Sequence, residues 1–93
     1  MKEKELMRTA MVRHRRKEIA VYRLSDGIYA TDNSCSHEYS PLCEGMIVDN
    51  NVYCPMHGSR FDIKTGAVLD LPATSPIKTY QVKTEDGWIF VKV

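Results

Sequence analysis

Ninety-three residues, 43% hydrophobic and 27% charged, make one small domain with a modest core. A net charge of +1 and a pI near 7.7 give no electrostatic footprint for nucleic acid. No apolar run approaches the roughly 18–20 residues of a membrane span, and the charged opening lacks the apolar centre of a signal peptide, so a soluble cytoplasmic chain is expected. The cysteines number three, an odd count that makes a disulfide framework a poor reading.

In chain order, Lys2–Glu5 alternate in charge and fit the start of a helix, while Leu6–Val12 fits a first strand equally well. Arg13–Lys17 is a basic cluster around His14. It reads as a solvated hairpin tip, with a docking patch for an acidic surface as the sharper alternative. Glu18–Leu24 is apolar-rich and partly β-branched, stops at Ser25-Asp26-Gly27, and resumes at Ile28–Thr31, which predicts a hairpin. Further hairpins are expected where Met46–Val48 and Val52–Cys54 flank Asp49-Asn50-Asn51, and where Phe61–Ile63 and Ala67–Leu69 flank Lys64-Thr65-Gly66. A last one is expected where Ile77–Thr84 and Trp88–Val93 flank Glu85-Asp86-Gly87. In the final strand Ile89, Val91 and Val93 share one face, and Trp88, Phe90 and Lys92 the other. No internal repeat or low-complexity linker interrupts this pattern.

Two short motifs carry chemistry: Cys35-Ser36-His37 and Cys54-Pro55-Met56-His57. Each pairs a thiolate with an imidazole, a donor set that selects zinc or iron–sulfur chemistry over hard cations. A loop can turn Cys35 and His37 toward one point, and the spacing of Cys54 and His57 suits a tight turn stiffened by Pro55. Gly58 is expected to let the backbone approach the metal without a Cβ clash. A structural zinc site is the alternative, since two cysteines and two histidines are a common zinc set. Zinc fingers, however, usually place both cysteines before both histidines, and here the order alternates. Coincidental core residues are a weaker alternative. His14 has no partner motif and reads as a surface residue, and Cys43 as a small buried or half-buried side chain.

The alternating order is the ligand pattern of a Rieske centre, in which two cysteines hold one iron of a [2Fe–2S] cluster and two histidines the other. The run CSHEYSPLCEGMIVDNNVYCPMHGSRFDIKTGAVL resembles the cluster-binding region of the Rieske ferredoxins that serve bacterial ring-hydroxylating dioxygenases. The stretch from Leu71 to Tyr80 is similar to that family's proline-containing loop and following strand, and the resemblance covers about residues 18–93. It implies an all-β fold: an antiparallel sandwich or barrel base with a cluster-binding subdomain at about 34–70, the whole chain forming a single domain. Cys35, His37, Cys54 and His57 are the implied ligands, with the histidines at the tip. Tyr39, Pro41, Leu42, Met56 and Pro72 are expected to form an apolar rim.

Quinol-oxidising Rieske proteins carry an extra cysteine in each loop, and those two form a disulfide. Ser40 and Met56 stand at the matching positions, so that bridge cannot form. Ser59 matches a serine whose hydroxyl lies near the cluster sulfurs, while Phe61 stands where a tyrosine hydroxyl would be. The resemblance implies a monomeric electron carrier, taking electrons from a flavin-containing, NAD(P)H-dependent reductase and passing them to a terminal oxygenase. The alternative is a small subunit of a larger redox complex such as assimilatory nitrite reductase, although those often lack the ligands present here. No catalytic residue is expected. A mononuclear iron site needs two further histidines and a carboxylate, and only His14 remains. There is also no G-x-G-x-x-G run for a nucleotide.

Overall fold

The computed structural model describes residues 1–36, 40–56 and 58–93, and among these the chain is nearly all β. Five strands, β1 (Thr9–His14), β2 (Lys17–Leu24), β3 (Gly27–Asp32), β7 (Thr79–Glu85) and β8 (Trp88–Lys92), form one antiparallel sheet in that order. Three shorter strands, β4 (Met46–Val48), β5 (Asn51–Tyr53) and β6 (Arg60–Asp62), form a second antiparallel sheet between β3 and β7 in the chain.

The strand β2 shows why the molecule has two cores. Ile19, Ala20, Val21 and Tyr22 are all fully buried. Successive side chains of a strand point to opposite faces, so both faces of β2 must be covered. Ala20, Tyr22 and Leu24 enter a cluster with Cys35, Leu42, Val52, Cys54, Phe61, Ile63, Ala73 and Ile77. Val21 packs with Leu6 and Ile89, and Ile19 with Ala30 and Tyr80. Complete burial of each such aliphatic side chain contributes about 1.5–3 kcal/mol. The large sheet therefore separates a base core from the core that lies under the two motif loops.

The hairpins are tighter than expected from the sequence. Leu24 pairs with Gly27, Val48 with Asn51 and Glu85 with Trp88, leaving two-residue turns in place of the three-residue ones. Asp86 (φ 51°) and Gly87 (φ 81°) both lie in the left-handed region, as a two-residue turn matched to strand twist requires. Cys54 falls just beyond β5. The expected pairing of Phe61–Ile63 with Ala67–Leu69 reduces to a single bridge, Phe61 to Val68. Asp62 accounts for this, because its carboxylate accepts the Lys64 and Thr65 N–H groups and turns the chain locally. β7 begins at Thr79 rather than Ile77, because the Ile77 N–H is donated sideways to the Gly66 carbonyl at 2.9 Å. In β8, Ile89 is buried and Val91 partly so, while Val93, expected on the same face, falls just beyond the strand and is exposed.

At the N-terminal end both sequence readings are partly realised. Glu3–Glu5 is a single 3₁₀ turn and β1 starts at Thr9. Residues 1–3 extend the free edge of β8: Ile89 donates to the Met1 carbonyl and Glu3 to that of Gly87. The Arg23 guanidinium donates to the carbonyls of Leu6 and Glu3 and holds this turn against the sheet. His14 pairs with Lys17, so Arg15 and Arg16 form an exposed hairpin tip, as the plainer sequence reading has it.

Candidate metal centre

The first motif loop is closed by a short antiparallel ladder. Ser34 bridges Pro41, the Cys35 N–H donates to the Ser40 carbonyl at 3.1 Å, and the Leu42 N–H donates to that of Asn33 at 2.7 Å. The second loop grows from the β5–β6 ladder. Beyond the Tyr53–Arg60 pair, the Cys54 N–H donates to the Ser59 carbonyl at 2.7 Å. Both loops thus have one construction, in which the cysteine at the end of a ladder faces a serine five residues on. Cys35 and Cys54 are buried, 4% and 2% exposed, in the same apolar cluster. His37, His57 and Tyr39 lie outside the described residues, so of the four expected ligands the structure places the two cysteines.

Several residues unnoticed in the sequence fix these loops. Asn33 is buried just before the first loop. Its Oδ1 accepts the Cys43 N–H at 2.8 Å and its own N–H donates to the Glu18 carbonyl at 3.0 Å. The 3₁₀ turn Leu42–Glu44 is thereby latched to β2. The 71–76 loop holds both motif loops, since the Ser36 hydroxyl donates to the Ser75 carbonyl and the Ala73 N–H donates to Ser59 Oγ at 2.9 Å. A buried asparagine before a ligand loop is the one such signal readable in sequence, through its habit of bonding nearby backbone.

Other expectations need correction. Leu42 is fully buried and belongs to the core, so it cannot form part of an exposed rim. Met56 is 63% exposed, and Leu71, absent from the expected rim, is 75% exposed. Gly58 has φ +77°, and a Cβ there would meet no protein atom within 4 Å. Among the described atoms its left-handed backbone is therefore what calls for glycine. Gly45 and Gly66, not singled out in the sequence, are the crowded ones. A Cβ on Gly45 would lie 2.1 Å from the Tyr53 carbonyl oxygen, and one on Gly66 2.1 Å from that of Ile77. Cys43 is half-buried as expected, and burial pushes its thiol pKa upward.

The donor set suits an iron–sulfur cluster. Two candidate thiol ligands, Cys35 and Cys54, lie at ladder ends within one buried apolar cluster, and among the described residues the Ser40 hydroxyl in the first loop is buried with no hydrogen-bond partner. Such an arrangement has room for an acceptor that protein atoms do not supply. A family model, that of the Rieske [2Fe-2S] domain, matches residues 1–81. The chain belongs to the Rieske [2Fe-2S] domain family. Its cofactor is a Rieske-type [2Fe–2S] cluster.

Among curated relatives of this Rieske chain, the ferredoxin component of the naphthalene 1,2-dioxygenase/salicylate 5-hydroxylase systems of a Ralstonia species is 43% identical over 77 residues. That match covers 83% of this chain and 74% of the relative. The solved ferredoxin of carbazole 1,9a-dioxygenase from Nocardioides aromaticivorans IC177 superposes with a TM-score of 0.92 at 30% identity, covering 98% of this chain and 91% of that one. A chain in a complex of reduced oxygenase and oxidised ferredoxin of carbazole 1,9a-dioxygenase gives 0.88 at 29% identity, covering 98% and 96%. A putative nitrite reductase small subunit gives 0.86 at only 22% identity, covering 100% and 94%, a likeness of fold alone. The ferredoxins among these are electron-transfer components, and the chain is one by kinship rather than an enzyme in its own right. No helix among the described residues is long and apolar enough to cross a membrane.

Proposed function

We propose that this chain is a soluble, monomeric, cytoplasmic Rieske ferredoxin. It accepts single electrons from a flavin-containing, NAD(P)H-dependent reductase and delivers them to a terminal ring-hydroxylating oxygenase. Cys35 and Cys54 hold one iron of its cluster and His37 and His57 the other, within a subdomain at about 34–70. The observation that carries this reading is the pair of buried cysteines at matching ladder ends in one apolar cluster, on a chain akin to ferredoxin components of dioxygenase systems. When bound, the cluster takes up and gives up one electron at a time.

The chain's own residues provide the setting. Leu42, Val52, Phe61 and Ala73 exclude water from the cysteine side. The loop around the Leu71–Pro72 bond braces both motif loops. Exposed Met56 and Leu71 offer apolar side chains for brief docking. The nitrite reductase alternative is supported only by the fold.

The test is metal and sulfide analysis followed by reconstitution. The purified protein is expected to contain two irons and two acid-labile sulfides per chain and no zinc. It is expected to support hydroxylation only with both a reductase and an oxygenase present. Stoichiometric zinc without labile sulfide would overturn the cluster assignment. Hydroxylation by this chain with a chemical reductant alone would overturn the carrier assignment.

A further inference from the structure

Each cysteine of the centre faces a serine across an antiparallel pair. The bonds from Cys35 to Ser40 and from Leu42 to Asn33 bracket the Ser34–Pro41 bridge. The next pair outward is Cys35 opposite Ser40. Directly opposed side chains lie on the same face with Cβ atoms about 4.5–5.5 Å apart, so rotation about the serine Cα–Cβ bond can aim its hydroxyl toward the cysteine side chain. Cys54 and Ser59 repeat the arrangement at the end of the β5–β6 ladder. Both serines are fully buried. Ser59 Oγ accepts the Ala73 N–H, which leaves its own proton to donate. Among the described residues Ser40 Oγ neither gives nor receives a hydrogen bond. A buried hydroxyl left in that state is costly, and an alanine would occupy the site without the cost. A thiolate bound to iron is an acceptor that appears only when the cluster is in place.

We propose that the Ser40 hydroxyl donates a hydrogen bond to the Cys35 thiolate sulfur in the cluster-loaded protein. Ser40 is thus a positioning and tuning residue, the counterpart in the first loop of Ser59 in the second. Reduction adds negative charge to the cluster and its sulfurs, so a donor at this point stabilises the reduced form more than the oxidised form and raises the reduction potential. The inference rests on the ligand set proposed above. Failure of that set would appear as wild-type protein without iron and labile sulfide, whereas failure of the present inference leaves the wild-type cluster intact.

The experiment compares wild type, Ser40→Ala, and the equal-sized pair Ser40→Thr and Ser40→Val by protein-film voltammetry. The same proteins are compared by proton and deuteron electron–nuclear double resonance of the reduced cluster in H₂O and D₂O. The expected result is a lower potential in the Ala and Val forms, with the Thr form above Val. Loss of one exchangeable coupling that wild type and Thr retain is also expected. Unchanged potentials together with an unchanged set of exchangeable couplings would overturn the proposal. If the Ser40 variants do not load a cluster, the Ser59→Ala protein, which keeps Ser40, decides instead. An Fe–S(Cys) stretch that shifts on deuterium exchange in the Ser59→Ala background supports the Ser40 donor, and a stretch insensitive to exchange there overturns it.

Discussion

At the scale of single residues, the surroundings of the cysteines set the chemistry. Rieske centres span roughly −150 to +300 mV, and this chain is expected in the lower half, since it has Phe61 in place of a hydroxyl donor and Ser40 and Met56 where a disulfide would need cysteines. Ser59→Ala is expected to lower the potential. Phe61 lies on the same face of its strand as Ser59, two residues on, with its ring fully buried. Phe61→Tyr is therefore expected to raise the potential if its hydroxyl reaches a sulfur. Otherwise it is expected to cost about 1–3 kcal/mol of stability as an unsatisfied buried group. Voltammetry and chemical denaturation together separate the two outcomes. Tyr80 provides a pH signature away from the centre. Burial, and its hydrogen bond to the Asp32 carboxylate, push its phenol pKa up from 10.0 to about 12. A group whose folded pKa is raised contributes stability fully present below the unfolded value and lost as pH rises through the folded one. Stability should therefore fall between about pH 10 and 12 by an increment that Tyr80→Phe removes, measured by urea denaturation across that range.

At the scale of elements, the loops are held by connections of low visibility in sequence. Asn33→Ala removes the acceptor of the Cys43 N–H inside the protein and is expected to cost about 1–3 kcal/mol. It is also expected to reduce iron content, measured by thermal unfolding and metal analysis on the same preparation. Gly66→Ala is expected to cost about 3 kcal/mol or more, since the new Cβ would meet the Ile77 carbonyl oxygen at 2.1 Å in a residue with φ +80°. The hairpins are legible in the sequence because local chemistry fixes them: Ser25-Asp26 before Gly27, and Asp86-Gly87, stand between apolar-rich runs. The cysteines are legible because a thiolate and an imidazole at such short spacing suit only a few kinds of metal centre. The Phe61–Ile63 pairing is not, because the Asp62 side chain competes for backbone donors, which periodicity does not register. The burial of Leu42 depends on β2 and the second sheet, both distant in sequence, so its own neighbours make it look like rim. Ser36 and Ala73 act through contacts to residues remote in sequence, and no spacing rule reveals those.

At the scale of the whole molecule, the two cores make different forecasts for loss of the cluster. The base core of Ile19, Val21, Ala30, Tyr80 and Ile89 contains none of the proposed ligands, whereas Cys35 and Cys54 are part of the other. After iron removal, hydrogen exchange is expected to stay slow in the five-stranded sheet and to accelerate in residues 34–73. Uniform acceleration would mean that the cores unfold as one. The paired ladder ends bear equally on speed. Cys35 and Cys54 are each pinned by a backbone bond across their own hairpin, and the same 71–76 loop braces both hairpins. A carrier must change oxidation state twice in every cycle, and each change is slowed by whatever nuclear displacement accompanies it. With both thiolates fixed on sheet backbone, the cradle has little freedom to relax between oxidised and reduced forms. Under the proposed ligand set, the cysteine side then adds little to the reorganisation energy of each electron transfer.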